Sequence, residues 1–173
     1  MKIVVISGSP RKQAVTQTMM KFVYDHAKSK NPDTKFINLS DNGVEYYRGY
    51  DVSYSQSTTQ AAKDIMDADV WLVGTPIYNS FFSAALKNLF EFVNYKQTAG
   101  KTAGLAILAS GQIGFTDVQT LLTQLMSYFR VITNPKAVFM TADQIKDGTI
   151  DESAQARLKE MVDETILLAS RPK

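Results

Sequence analysis

Chemistry in this sequence concentrates in three short stretches of small residues, each directly after an apolar run. The first is Ser7-Gly8-Ser9-Pro10-Arg11, behind Ile3-Val4-Val5-Ile6 and ahead of a helical pattern that begins near Gln13. A strand, a tight loop and a helix aim backbone N–H groups and a helix N-terminus at an anion. Arg11 adds a fixed cation with several donors. The second is Thr75-Pro76-Ile77-Tyr78-Asn79-Ser80. Pro76 sets the turn, and Ile77 and Tyr78 offer flat apolar surface. The peptide N–H groups of Tyr78 and Asn79 are placed to reach the polar rim of a planar heteroaromatic ring. The third is Ser110-Gly111-Gln112-Ile113-Gly114, whose glycines permit close backbone approach. Each loop alone also reads as plain turn punctuation or sheet-edge packing.

Other chemistries are excluded by composition. The first loop lacks the Gly-Lys-Ser/Thr of a Walker loop and the second and third glycines of the dinucleotide fingerprint, so it suits one terminal phosphate. There is no cysteine and one histidine in 173 residues, which removes disulfides, thiolate nucleophiles and Cys or His-cluster metal sites. No metal and no protein-borne catalytic residue is expected. A net charge of +2 without a basic block argues against nucleic acid. The apolar run after Met1 is too short for a signal peptide or a membrane span, so a cytoplasmic location is expected.

Alternating elements must position these loops. The periodicity predicts helices over residues 13–29, 58–68, 82–93, 116–129 and from about 151 to 170, the last capped by Asp151 or Ser153. Buried strands are predicted over 3–6, 35–39, 70–74, 102–109 and 131–140, with Pro135 inside the fifth. Residues 40–57 read as a long loop holding Tyr46, Tyr47, Tyr50 and Tyr54. The pattern predicts one domain over residues 1–173 of α/β class, a flavodoxin-like three-layer sandwich with a five-stranded parallel sheet in the order 2-1-3-4-5 and helices on both faces. In that order ligands bind beyond the carboxyl ends of the strands, where the three small-residue loops converge. Trp71 is expected in the core and His26 half-exposed on the first helix.

The chain resembles the NADPH-dependent FMN reductase family, the group that includes small quinone, azo-dye and chromate reductases. The resemblance rests on Gly8-Ser9-Pro10-Arg11, on Ala68-Asp69 with Thr75-Pro76-Ile77-Tyr78-Asn79, on Ser83-Ala84-Ala85-Leu86-Lys87-Asn88, on Ala109-Ser110-Gly111 and on Asn134-Pro135-Lys136. It implies that residues 9–16 hold the FMN phosphate, with Ser9, Arg11 and Thr16 as side-chain ligands and Gln13, Ala14 and Val15 beside them. Pro76, Ile77, Tyr78 and Asn79 would line the flavin ring, and Ser110 and Gly111 its other edge. Gln112 would contact the ring or the substrate. Ala14 stands where the family usually has Ser, which leaves the cradle one hydroxyl short. Relatives with a cysteine cluster after the second strand differ from Glu45-Tyr46-Tyr47-Arg48-Gly49-Tyr50 here.

The implied activity is FMN-dependent oxidation of NADPH or NADH, with a free flavin, quinone, azo dye or similar small molecule as acceptor. A flavodoxin-type electron carrier working with a partner reductase is the alternative. Its phosphate loop is Thr/Ser-rich and its surface strongly acidic, unlike Ser9-Pro10-Arg11 and a net charge of +2. A receiver domain would need acids where Ser7 and Thr75 stand. Phe81, Phe82 and Phe92, beyond the core stripes, suggest a homodimer or tetramer. The tyrosines of residues 46–54 either bury their own loop or form a lid over the ring, and burial is the favoured role.

Overall fold

The computed structural model describes residues 1–41 and 43–171; Asn42, in the loop expected over 40–57, and residues 172–173 lie outside. The strands are β1 (Ile3–Ser7), β2 (Thr34–Asn38), β3 (Val70–Tyr78), β4 (Phe81–Phe82), β5 (Thr102–Ala109), β6 (Ile132–Thr133), β7 (Val138–Thr141), β8 (Ile145–Lys146) and β9 (Thr149–Ile150). The α-helices are α1 (Val15–Lys30), α2 (Gln56–Asp67), α3 (Ala84–Glu91), α4 (Phe115–Tyr128) and α5 (Glu152–Ala169).

The main sheet runs β2-β1-β3-β5, and β6 and β7 both pair with β5 as the fifth position. All of these pairings are parallel, so the expected order and layering hold. The β-branched strands alternate sides. Val4, Ile6, Trp71, Val73, Leu105 and Ile107 face α2, α3 and α4, while Ile3, Val5, Leu72, Ala106 and Met140 face α1 and α5. Two buried faces explain why these strands read as continuous apolar runs. Trp71 is fully buried and its Nε1 donates to the Ile65 carbonyl at 2.9 Å.

The fifth strand is two pieces rather than one. Asn134 and Pro135 interrupt it. The Asn134 N–H reaches Ala103 O at 2.7 Å, its Nδ2 donates to Thr165 Oγ1 at 3.2 Å, and its Oδ1 accepts from Lys136 N at 3.0 Å. Proline supplies no ladder donor at the next position, so the side-chain amide holds the gap. The third strand is longer than expected. It continues through Pro76 to Tyr78 because Pro76 pairs in register with Leu108, and Ile77 and Tyr78 turn back onto β4. Asn79 and Ser80 make that two-residue turn with φ of 49° and 65°. The helix after it therefore starts at Ala84, not at 82. Asp147 and Gly148 join β8 to β9 in a hairpin whose short strands were not anticipated. In α1, Thr16 and Met20 are buried alongside Met19, Val23 and Ala27, while Phe22 is only half-buried. His26, half-buried, joins α1 to α5 through Asp163 Oδ1 at 2.9 Å.

Candidate active site

The first loop is held rigidly from below. Gly8 N donates to Gly74 O at 2.8 Å, and a Cβ on Gly8 would lie 2.6 Å from that same oxygen. Only glycine lets β1 end this close to β3. Ser83, buried, donates its hydroxyl to Gly8 O and accepts from Leu86 N at 3.0 Å as the cap of α3. Its own N–H reaches Thr75 Oγ1 at 3.1 Å. These bonds tie the first two loops to the start of α3.

Above them lies a cavity of about 350 Å³, within the usual range of ligand pockets. Residues 11–16, Pro76, Ile77, Tyr78, Leu108, Ala109, Ser110 and Ala142 line it. Of the residues expected at the site, the fold brings together Arg11, Gln13, Ala14, Val15, Thr16, Pro76, Ile77, Tyr78 and Ser110. Lys12, Leu108, Ala109 and Ala142 are additions. Lys12 was legible as a second cation beside Arg11; Ala142 reaches the cavity only because β7 ends there. Ser9, Asn79, Gly111 and Gln112 do not line it. Ser9 is buried, and its Oγ lies 3.1 Å from Tyr78 Oη and accepts from Arg11 N at 3.3 Å. Asn79 sits exposed in the hairpin turn, and Gly111 and Gln112 are exposed beyond the rim.

Two observations bear on what the cavity accepts. The N-cap of α1 is Ala14, which makes no side-chain cap, and the first turn carries no acid. Its N-terminal N–H groups and partial positive charge are open to an anion, with Arg11 and Lys12 beside them. Thr16 lines the same end at 1 % exposure, and its hydroxyl has no partner among the described residues. The hydroxyl is not sealed in the core, where Ser7 Oγ is the buried side-chain group without a partner among the described residues, and so it is free to bond a ligand in the cavity. Gln13 is held at φ 54°, a strained conformation that turns the chain around this end of the cavity. A cationic, donor-rich end joined to a wall of proline, isoleucine and tyrosine fits a phosphorylated planar ring.

A profile of the NADPH-dependent FMN reductase family matches residues 1–145. The chain belongs to this family. Among its relatives is an NADPH azoreductase of Bacillus sp. (strain OY1-2), 28 % identical over 170 residues, covering 95 % of this chain and 90 % of that protein. Another is an NAD(P)H-dependent FAD/FMN reductase of Geobacillus thermodenitrificans (strain NG80-2), 26 % identical over 137 residues, 78 % of this chain and 74 % of the relative. An apo NADH:FMN oxidoreductase structure has the same fold, with a TM-score of 0.82 at 20 % identity over 99 % of this chain and 91 % of that one. The reductase is thus an FMN-dependent NAD(P)H oxidoreductase of flavodoxin-like fold; the electron-carrier alternative is not favoured.

The tyrosine loop sits apart from the residues that line the cavity. Tyr47 and Tyr54 stack 6.2 Å apart, and each meets Phe92 edge-on, at 5.2 and 4.8 Å. Asn88 on α3 secures the loop by accepting from Tyr47 N at 2.9 Å and donating to Glu45 O at 2.8 Å. Burial, and then the hydrogen bond to Tyr50, push the Tyr47 phenol up to about 12. No helix among the described residues is long and apolar enough to cross a membrane.

Proposed function

We propose that this cavity is where the reductase holds FMN, in one domain formed by the whole chain. The phosphate end is assigned to Ser9, Arg11, Gln13, Ala14, Val15 and Thr16, with Lys12 as a second cation. The ring is assigned to the wall of Pro76, Ile77, Tyr78 and Asn79, with Ser110, Gly111 and Gln112 along the opposite edge. The unpartnered Thr16 hydroxyl under an uncapped helix N-terminus carries this reading. Ser9 contributes indirectly: it accepts from Arg11 N and orients the Tyr78 phenol. Pro76, whose missing N–H cannot compete for a ligand acceptor, keeps the wall flat.

The hydride chemistry, from NADPH or NADH to an acceptor, belongs to the flavin itself. The chain's part is to bind, orient and shield. The hydroxyl and guanidinium groups fix the phosphate, the apolar wall fixes the ring plane, and no side chain has to move a proton. The open cavity suits a small planar acceptor, such as a free flavin, a quinone or an azo dye. Phe81 and Ile113, 56 % and 87 % exposed near the rim, support assembly into a homodimer or tetramer. A cytoplasmic location follows from the nicotinamide supply the reaction needs.

The visible spectrum of the purified protein tests the cofactor assignment. Flavin bands near one equivalent, release of FMN on denaturation and rapid bleaching by NADPH or NADH without oxygen are expected. A protein that takes up no FMN on titration would overturn it.

A further inference from the structure

A second cleft, of about 470 Å³, shares its border with the cavity. Ser110 and Ala142 line the cavity, while Gln112, Thr141 and Asp143 line the cleft. The same two loops, after β5 and β7, therefore separate the two sites. A nicotinamide dinucleotide with its reactive ring at the cavity must send its other half across a rim. We propose that this cleft receives the adenosine-phosphate half of the dinucleotide, an inference that rests on the flavin reading of the cavity.

The chemistry of the lining supports that assignment. Phe115 and Phe139, half-buried, stack on each other with centroids 5.0 Å apart and planes 23° apart, and they give this largely polar cleft an apolar floor against which the edge of a purine can rest. Arg157 is anchored by one donor, Nη1 to Phe139 O at 2.7 Å. Its remaining donors have no partner among the described residues and suit a phosphate. The nearby acid Asp151 feels this charge, which helps hold its carboxyl below the usual range after the hydrogen bonds from Ala154 N and Gln144, but makes no hydrogen bond to the guanidinium. Its Oδ1 accepts from Ala154 N at 2.7 Å and its Oδ2 from Gln144 Nε2 at 3.0 Å. Asp143 and Gln112 line the cleft exposed, each without a partner among the described residues. A free carboxylate there accepts from a ribose diol and repels a 2′-phosphate. With Arg157 assigned to the 5′-phosphates and Asp143 to the ribose, the cleft favours NADH over NADPH.

Binding of adenosine nucleotides tests this without turnover. The FMN-free and FMN-loaded proteins are titrated by calorimetry with ADP, and with AMP and adenosine 2′,5′-bisphosphate, a pair that differs only in the 2′-phosphate. AMP is expected to bind about tenfold more tightly than the bisphosphate. Asp143→Asn, on an exposed loop, should erase that difference. Arg157→Gln should weaken ADP about tenfold and raise KM for NADH while the FMN dissociation constant stays at the wild-type value. Its fold is checked by circular dichroism, and Asp143→Asn carries the test if it unfolds. No ADP binding to the wild type, or equal nucleotide affinities in the wild type and Asp143→Asn, would overturn the assignment. FMN binding is followed separately by flavin fluorescence, so failure of the flavin reading registers there and not in the ADP titration.

Discussion

Thr16→Val isolates one atom of the proposed phosphate end. Both side chains are β-branched and of similar size, so α1 keeps its shape and propensity. Thr16 is 1 % exposed and its hydroxyl bonds nothing among the described residues. The free protein therefore loses no internal hydrogen bond, and because the hydroxyl opens onto the cavity its stability should change by about 0.5 kcal/mol at most. For a chain of this length that is a shift in melting temperature of about 2 °C at most. With FMN bound, the same change deletes a hydrogen bond to a charged phosphate, about 1.5–3 kcal/mol. FMN affinity should fall about tenfold to a hundredfold. Affinity falls while stability holds, which a general folding defect cannot produce. Quenching of flavin fluorescence gives the affinity, and calorimetric melting of the FMN-free protein gives the stability. An FMN dissociation constant within twofold of wild type would refute the assignment. A melting temperature several degrees lower would show that the hydroxyl supports the fold instead.

Three more perturbations separate the phosphate end, the loop floor and the tyrosine cluster. Arg11→Ala should weaken FMN binding about tenfold or more, and log Kd should then depend less on log salt, because an exposed cation–phosphate attraction is screened; full FMN occupancy at micromolar protein would count against it. Gly8→Ala pushes a Cβ to 2.6 Å from Gly74 O, a backbone atom that cannot step aside, so the urea midpoint should fall by an equivalent of about 1–3 kcal/mol and FMN binding should fall with it. Tyr47 titrates higher folded, about 12, than unfolded, about 10, so its neutral form is the one the fold favours. Its stability contribution is complete below pH about 10 and is lost as the pH rises towards about 12. Tyr47→Phe should flatten the melting curve's decline across that window, and an identical decline in both proteins would sink the assignment.

The strand and helix pattern was legible because it is local. Both-face burial writes continuous β-branched runs, and helix faces write a 3.6-residue period, with no distant partner needed. The same holds for the small-residue loops, since glycine and proline act on their own backbone. The misreadings share a cause as well. Pro76 looked like a strand breaker and Pro135 did not, yet Pro76 sits inside β3 and the Asn134-Pro135 pair splits the fifth strand. Pairing with β5 decides both, and pairing is not visible at either residue.

By itself the sequence determined the parallel α/β sheet, the converging loops and the phosphate-sized first turn. Only the tertiary structure decided which side chains serve it. Ser9, the most obvious hydroxyl in the loop, is engaged by Tyr78 and Arg11 N, while Thr16 in the first turn of α1 is left open to the cavity. Gln112, three residues from cavity-lining Ala109, faces a different cleft, and Ala142 arrives from the turn that follows β7, far along the chain from Tyr78. Hydrogen-bond partners and pocket walls depend on register and on how far a strand runs before it turns. Those are set by contacts between elements far apart in the chain, which residue type and spacing do not encode one segment at a time.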